Sequence, residues 1–421
     1  MASPSFHPAA VYPVGVSPVH IAAADLNNDG FIDLAIVNIG SNDVTILLNN
    51  GCGVFTEAAG SPVSMGLGIL TSDITAGDFN GDGFIDLAVV NEADNTVSIL
   101  LNNGFAMFTP GPGSPFPTGT IPLSIVSADF NGDGKIDLAT ADVGGTVTVL
   151  LNNGSAMFSF APGSPFPAGP APFDLIAADF DGNGTIDIAV ANLSSNQVSV
   201  FFNKGAAVFS PAPGSPYLVG NSPIAITAAD LNENGFIDIA TANVGTSDVS
   251  ILLNNGFGIF SPGTTVPLPI DSFPFDITSA DFNCDGIPDL ATANPGTDNV
   301  SVLTNNGAAQ FSVTNFPVGF SPSGLTAADL NGDGAADLIV ANTGDNTISV
   351  LLNACIPPRI ICPDDITRVN DCGENGAIVH FTPTVIPNCP DVTAFCTPPS
   401  GSFFPRGTTT VMYSNRCLWQ Y

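Results

Sequence analysis

Asp25-Leu26-Asn27-Asn28-Asp29-Gly30-Phe31-Ile32-Asp33 is the first of seven copies of one nine-residue pattern. The copies begin at Asp25, Asp78, Asp129, Asp179, Asp230, Asp281 and Asp329, at intervals of 48 to 53 residues. Each is followed by an apolar run such as Asp86-Leu87-Ala88-Val89-Val90-Asn91, a short polar loop, and an alternating run such as Thr96-Val97-Ser98-Ile99-Leu100-Leu101. Asn-Asn-Gly comes next, as at Asn102-Asn103-Gly104. It is a hairpin signal, because two residues there need positive φ. A phenylalanine then opens a fourth run, at Phe55, Phe108, Phe158, Phe209, Phe260 and Phe311, which ends near Phe-Pro-x-Gly. Four short strands in about fifty residues, repeated seven times, read as the blades of an all-β, seven-bladed propeller. A helical solenoid would need a 3.6-residue period, and none is present.

The ends of the chain predict how the ring closes. The seventh copy stops at Leu351-Leu352-Asn353, with Ala354-Cys355 where Asn-Gly stands elsewhere, and lacks a fourth strand. Phe6 and Tyr12-Pro13-Val14-Gly15 match that strand (compare Phe311 and Phe316-Pro317-Val318-Gly319). The N-terminal segment is therefore expected to complete the last blade and remove two sheet edges.

Composition agrees. The 421 residues include 44 Gly and 36 Pro, and only 10% are charged. Turns are abundant, while Lys, Glu and Arg are scarce, which disfavours helices. Acids outnumber bases 38 to 6, for a formal charge of -32. This excludes the basic footprint of a nucleic-acid binder and attraction to an anionic membrane. Apolar groups are short, such as Ile32 to Val37, so no segment spans a bilayer.

The repeated pattern carries the chemistry. Oxygen donors stand at positions 1, 3, 5 and 9, and position 7 would add a backbone carbonyl. Loop one offers Asp25, Asn27, Asp29, Phe31 and Asp33; loop two, Asp78, Asn80, Asp82, Phe84 and Asp86. Loop three offers Asp129, Asn131, Asp133, Lys135 and Asp137; loop four, Asp179, Asp181, Asn183, Thr185 and Asp187. Loop five offers Asp230, Asn232, Asn234, Phe236 and Asp238; loop six, Asp281, Asn283, Asp285, Ile287 and Asp289. Loop seven offers Asp329, Asn331, Asp333, Ala335 and Asp337. Six to eight hard oxygens suit Ca²⁺, whereas Mg²⁺ keeps more water and takes fewer carboxylates. Gly at position 6, as at Gly30 and Gly83, permits the sharp turn. A strand pattern follows position 9 and no Glu stands at position 12, so these are not EF-hands. The expectation is about seven Ca²⁺ ions, one per blade. Loop five, with two ligand carboxylates, is expected to be the weakest.

These features resemble the FG-GAP/VCBS family of Ca²⁺-loop β-propellers, which includes the head of integrin α-subunits. The resemblance covers residues 1–354. It implies a mainly structural metal in the hairpin between the first and second strands of each blade. It leaves function open, since the family includes adhesins, lectin-like modules and domains attached to enzymes.

The remaining residues, 355–421, differ in kind. They hold all four arginines and six of the eight cysteines, namely Cys355, Cys362, Cys372, Cys389, Cys396 and Cys417, while Cys52 and Cys284 stand alone. Such crowding suggests disulfides and an oxidising compartment. Pro357-Pro358-Arg359-Ile360-Ile361-Cys362-Pro363-Asp364-Asp365-Ile366-Thr367 resembles the opening of a hyalin-repeat (HYR) domain. Asn388-Cys389-Pro390-Asp391-Val392-Thr393 and the stretch from Pro398 to Val411 continue the match. The resemblance implies a partial HYR module, a small immunoglobulin-like β-sandwich of extracellular adhesion proteins. Ser414 to Tyr421 departs from the pattern, so a missing last strand and an open edge are expected. Met1-Ala2-Ser3-Pro4 is not a signal peptide. The reading expects the signal to have been removed or the chain to be a piece of a longer one.

No catalytic constellation stands out. Of the three histidines, His7, His20 and His380, the first two lie near the closing strand and are read as ordinary strand residues, and the carboxylate pairs are assigned to metal. The polar loops Asn91 to Thr96, Asn243 to Asp248 and Asn294 to Asn299 are short and alike, whereas an active site would set one blade apart. The sequence is thus read as a non-enzymatic, extracellular adhesion or scaffold protein, secreted or on a cell surface. Its expected partners are protein or glycan at a cell surface or matrix, with possible self-association through the tail. A lectin-like binder and a self-assembling fibre or surface-layer subunit are the alternatives.

Overall fold

The computed structural model describes residues 3–66 and 70–355, and in the tail 359–361, 366, 376–381, 384–386, 392–405, 409 and 411–417. Among these residues there is no helix. Seven antiparallel sheets form a seven-bladed propeller. In blade 1 the strands are Pro18–Ala24, Asp33–Asn38, Asp43–Asn49 and Phe55–Glu57. The other blades repeat this order. The innermost strand of blade 7, Pro322–Ala328, packs beside Pro18–Ala24 of blade 1, so the ring is closed.

The second strand of every blade, from Asp33–Asn38 to Asp337–Asn342, is buried at all its residues. It lies mid-blade with a neighbouring blade on each face. That is why Leu34-Ala35-Ile36-Val37 is continuously apolar rather than alternating. The expected closing strand is Ala10–Pro13, which pairs antiparallel with Thr347 to Val350. Phe6 bridges to Asn353 and sets its ring 5.0 Å from that of Phe316.

Four features differ from the sequence reading. First, the outer strand of blades 1 to 4 is broken in two, as at Phe108–Pro110 and Phe116–Pro117. A turn containing cis Ser114-Pro115 divides it, with equivalents at Ser61-Pro62, Ser164-Pro165 and Ser215-Pro216. In blade 5, which lacks this Gly-Ser-Pro turn, the strand Phe260–Pro267 continues through a register shift between Ser250 and Leu252 of its neighbour. Secondly, the Asn-Asn-Gly hairpins are wider than two-residue turns. Their positive φ values fall two residues apart, as at Gly104 and Ala106, and Asn103 N–H reaches Met107 C=O. Thirdly, Cys284 is not alone: it is disulfide-bonded to Cys355, while Cys52 is free and exposed. Fourthly, the last strand of the tail is present. Met412–Cys417 pairs with Val392–Thr397, contrary to the expected missing strand. The pairing expected among Cys362, Cys372, Cys389, Cys396 and Cys417 falls on residues or side chains outside those described.

Candidate metal centre

All seven nine-residue loops occupy one face of the ring, each between the first and second strands of its blade. Their backbone folds around the acids. In loop two, Asp78 accepts N–H bonds from Gly81, Asp82 and Gly83. Asn80 Oδ1 accepts from Asp82 N–H, and Asp82 Oδ1 from Phe84 N–H. Position 6 lies at φ near +85°, as at Gly83 (88°). Position 4 is also left-handed, a demand the sequence reading missed. Glycine meets it at Gly81, Gly132, Gly182 and Gly332, but Asn28, Glu233 and Cys284 meet it elsewhere at a steric cost.

The position-9 aspartate anchors each loop. Asp86 is fully buried; its Oδ2 accepts from Phe79 N–H at 3.1 Å and its Oδ1 from Asn102 N–H at 2.8 Å. Each oxygen keeps a lone pair for a cation. Burial, aided by the neighbouring carboxylates of its loop, pushes Asp86 up to about 6 despite these bonds. Asp33, Asp137, Asp187, Asp238 and Asp337 are likewise pushed to about 6, and Asp289 to about 8. A cation beside these groups would offset that cost. Among the described residues three carboxylates converge in loop four, where oxygens of Asp179, Asp181 and Asp187 lie within 4.8 Å of one another. Four other loops place an amide among the acids, with Asn27, Asn80, Asn283 and Asn331 Nδ2 donating to the position-5 aspartate. In loop three Lys135 Nζ takes that role, 3.1 Å from Asp133 Oδ2. The donor set is made of hard oxygens throughout, with buried carboxylate at its base, and it fits Ca²⁺.

Two sets of residues that are not ligand candidates tie the loops into the ring. Position 2 supplies the largest fully buried side chains: Phe79, Phe130, Phe180 and Phe282. Each packs edge-on or tilted against the outer-strand phenylalanine of the next blade, namely Phe158, Phe209, Phe260 and Phe6. The first Asn of Asn-Asn-Gly is the second connector. Asn152 Nδ2 donates to Phe79 C=O in the preceding blade at 2.8 Å and to Ile136 C=O at 3.0 Å. Asn49, Asn102, Asn203, Asn254, Asn305 and Asn353 make the same inter-blade bond, completing a circle of seven. Its repetition one residue before each hairpin was the available signal. Replacing Asn152 with Ala removes its bonds to the Phe79 and Ile136 carbonyls and the one it accepts from Gly154 N–H, and is expected to cost about 2 kcal/mol, read by urea unfolding in calcium.

The central channel holds a third set. At one level the seven inner strands present His20, Asp73, Ser124, Asp174, Ala225, Asp276 and Gly324. Aspartate thus falls on alternate blades, and each reaches the next: Asp73 Oδ2 accepts from Ile125 N–H, Asp174 from Ile226 N–H and Asp276 from Leu325 N–H. His20 Nδ1 lies 3.2 Å from Asp73. Below them a cavity of about 350 Å³ is lined by Thr75, Ser127 and Thr227 among others. Enclosure by the ring pushes Asp174 up to about 7, and the charges of Asp276 and Asp73 add to it. Burial pulls His20 down, but Asp73, Asp276 and Asp174 outweigh it and its value is raised.

An unfolded aspartate titrates near 4, so between there and about 7 only the folded Asp174 holds its proton. That stability is complete below the unfolded value and lost as pH rises through the folded one. The raised His20 acts in the same direction, from about 6.5 upward. Asp174→Asn is therefore expected to stabilise the calcium-loaded protein by roughly 1–2 kcal/mol near pH 8, and to leave it unchanged near pH 4. Melting curves of both proteins across that range check it. An equal gap at both ends would refute the assignment.

Comparison with known proteins places these features. The FG-GAP-like repeat model matches residues 25–89, 78–140, 129–190, 179–241, 230–292 and 285–340, and the HYR domain model matches 355–416. No curated protein matches the chain. Among solved structures, virginiamycin B lyase from Staphylococcus aureus is similar at 14% identity and a TM-score of 0.57, covering 83% of this chain and 99% of its own. BBS1N, solved in complex with ARL6DN, gives 13% identity and 0.59, covering 84% and 99%. A lectin from Agrocybe aegerita that recognises non-reducing terminal N-acetylglucosamine gives 18% and 0.50, covering 80% and 96%. At these identities the likeness is one of fold.

Proposed function

Because the chain belongs to the FG-GAP-like repeat family and carries a HYR domain, we propose that it is a calcium-stabilised extracellular adhesion or scaffold protein without catalytic activity. The observation that carries this reading is the circle of seven oxygen-rich loops, each joined to its neighbour through a loop carbonyl. Metal in such loops fastens the ring instead of reacting. The connections on the opposite face, such as Asn38 to Asp43 and Asn342 to Thr347, are short in every blade and present similar surfaces. Repetition of that kind suits several weak contacts acting together. The propeller is taken to end at residue 354, with the HYR module as a second unit. The six tail-side cysteines and the family context support a location outside the cell.

The test is binding of the full chain to immobilised matrix proteins and to a glycan array, in calcium and in EDTA. Saturable, calcium-dependent binding to a protein surface is expected. Binding to glycans alone would make it a lectin, and no binding by folded, metal-loaded protein would overturn the adhesion reading.

A further inference from the structure

Loop six differs from the other six in its surroundings. Positions 4 and 5 are exposed in loops one to five, yet in loop six Asn283 is 2% exposed, Cys284 5% and Asp285 8%. Ile287, at position 7, is 7% exposed, and Ala335 of the adjacent loop seven 1%, whereas Phe31 at that place in loop one is 44% exposed. Both ends of the propeller chain meet beside this loop. Cys355 stands where the Asn-Asn-Gly turn of blade 7 would be, and its disulfide to Cys284 joins blade 6 to the last turn of blade 7. Ser5 C=O accepts the Ala354 N–H at 2.7 Å, and His7 N–H donates to Leu352 C=O. Pro4 is buried, and the Phe6 ring lies 6.2 Å from Phe282, the position-2 residue of the loop.

We infer that loop six holds an occluded calcium ion, one that exchanges far more slowly than the rest, with the Cys284–Cys355 disulfide as its latch. This rests on the calcium reading above. A bound calcium leaves as water replaces its ligands one by one, which needs ligands that can swing outward. In loops one to five the position-5 side chain sits at the surface and can do so. In loop six, Asn283 and Asp285 flank a cysteine bonded to the neighbouring blade, so the segment cannot peel away alone. Release must wait for the seam of the ring to open, a local unfolding event. The ion must also enter before the seam locks.

Isotope exchange tests this while the ring stays loaded. The full chain is filled with radioactive calcium, diluted into excess unlabelled calcium, and sampled by rapid gel filtration. One ion per chain is expected to exchange at least about ten-fold more slowly than the others. In the Cys284→Ser/Cys355→Ser double variant it should exchange with them. Asp281→Asn, with the disulfide intact, should remove the slow ion and spare the fast ones, so the test survives if the double variant fails to fold. A single fast phase in the disulfide-bonded protein, or a slow ion that Asp281→Asn leaves in place, overturns the inference. A protein that takes up no calcium at all overturns the calcium reading instead.

Discussion

Stripping calcium with EDTA is expected to lower the melting temperature of the propeller by about 20 °C and to release about seven ions per chain. A site at 100-fold excess over its Kd contributes about 2.7 kcal/mol, and seven such sites act on one closed ring. Dividing their sum by the unfolding entropy of a ring of this size gives a shift of that order. Without metal, the ligand carboxylates of each loop, at positions 1, 5 and 9 in five of the seven, face one another with only amide groups, or one lysine, between them. The position-9 groups sit fully buried, where their charged form is disfavoured, as the rise of Asp289 to about 8 shows most strongly. The check is paired melting curves with metal counted by mass spectrometry. Few ions and an unchanged melting temperature would mean that the loops are plain turns.

Deleting residues 1–15 is expected to cost about 5 kcal/mol or more and to make the protein associate. The deletion removes Ala10–Pro13 from the sheet and leaves the strand Thr347–Leu351 as an unpaired, apolar edge. It also removes Phe6 from Phe282 and Phe316, and Tyr12 from the ring of Phe55 at 5.5 Å. Truncating one buried aromatic alone costs about 3–5 kcal/mol. Because blade 7 then lacks its outer strand, the loss falls on the seam that holds the ring shut. Urea unfolding in calcium measures the first effect and sedimentation the second. A monomer of undiminished stability would show that closure does not depend on this strand.

Much of this architecture was legible in the residues. Recurrence of Asp-x-Asn-x-Asp-Gly-x-x-Asp every fifty residues specifies the blades, because strand, turn and loop each have local chemistry that repeats with it. Closure was legible for the same reason, since Phe6 and Tyr12 repeat the outer-strand pattern. The ligand candidates follow from residue type and spacing within nine residues. What the repeat could not show is what lies between blades. The Phe79 and Asn152 contacts join residues about seventy positions apart in sequence, and a residue reads locally as loop apolar or turn polar until its neighbour blade is in place.

The disulfide makes the same point. Counting cysteines put Cys355 with the tail and left Cys284 solitary, because spacing carries no information about which ends of a ring meet. The central channel is the clearest case. His20, Asp73, Asp174 and Asp276 look like scattered strand residues, and seven-fold packing, with a local bulge at the first three, turns them toward one axis. Sequence alone therefore determined the repeat, its count, its closure and its oxygen-rich loops, all of which arise from short-range patterns. Only the tertiary structure decided how blades interlock, which loop is sealed and which charges face one another, because those depend on distances across the ring that no local pattern encodes.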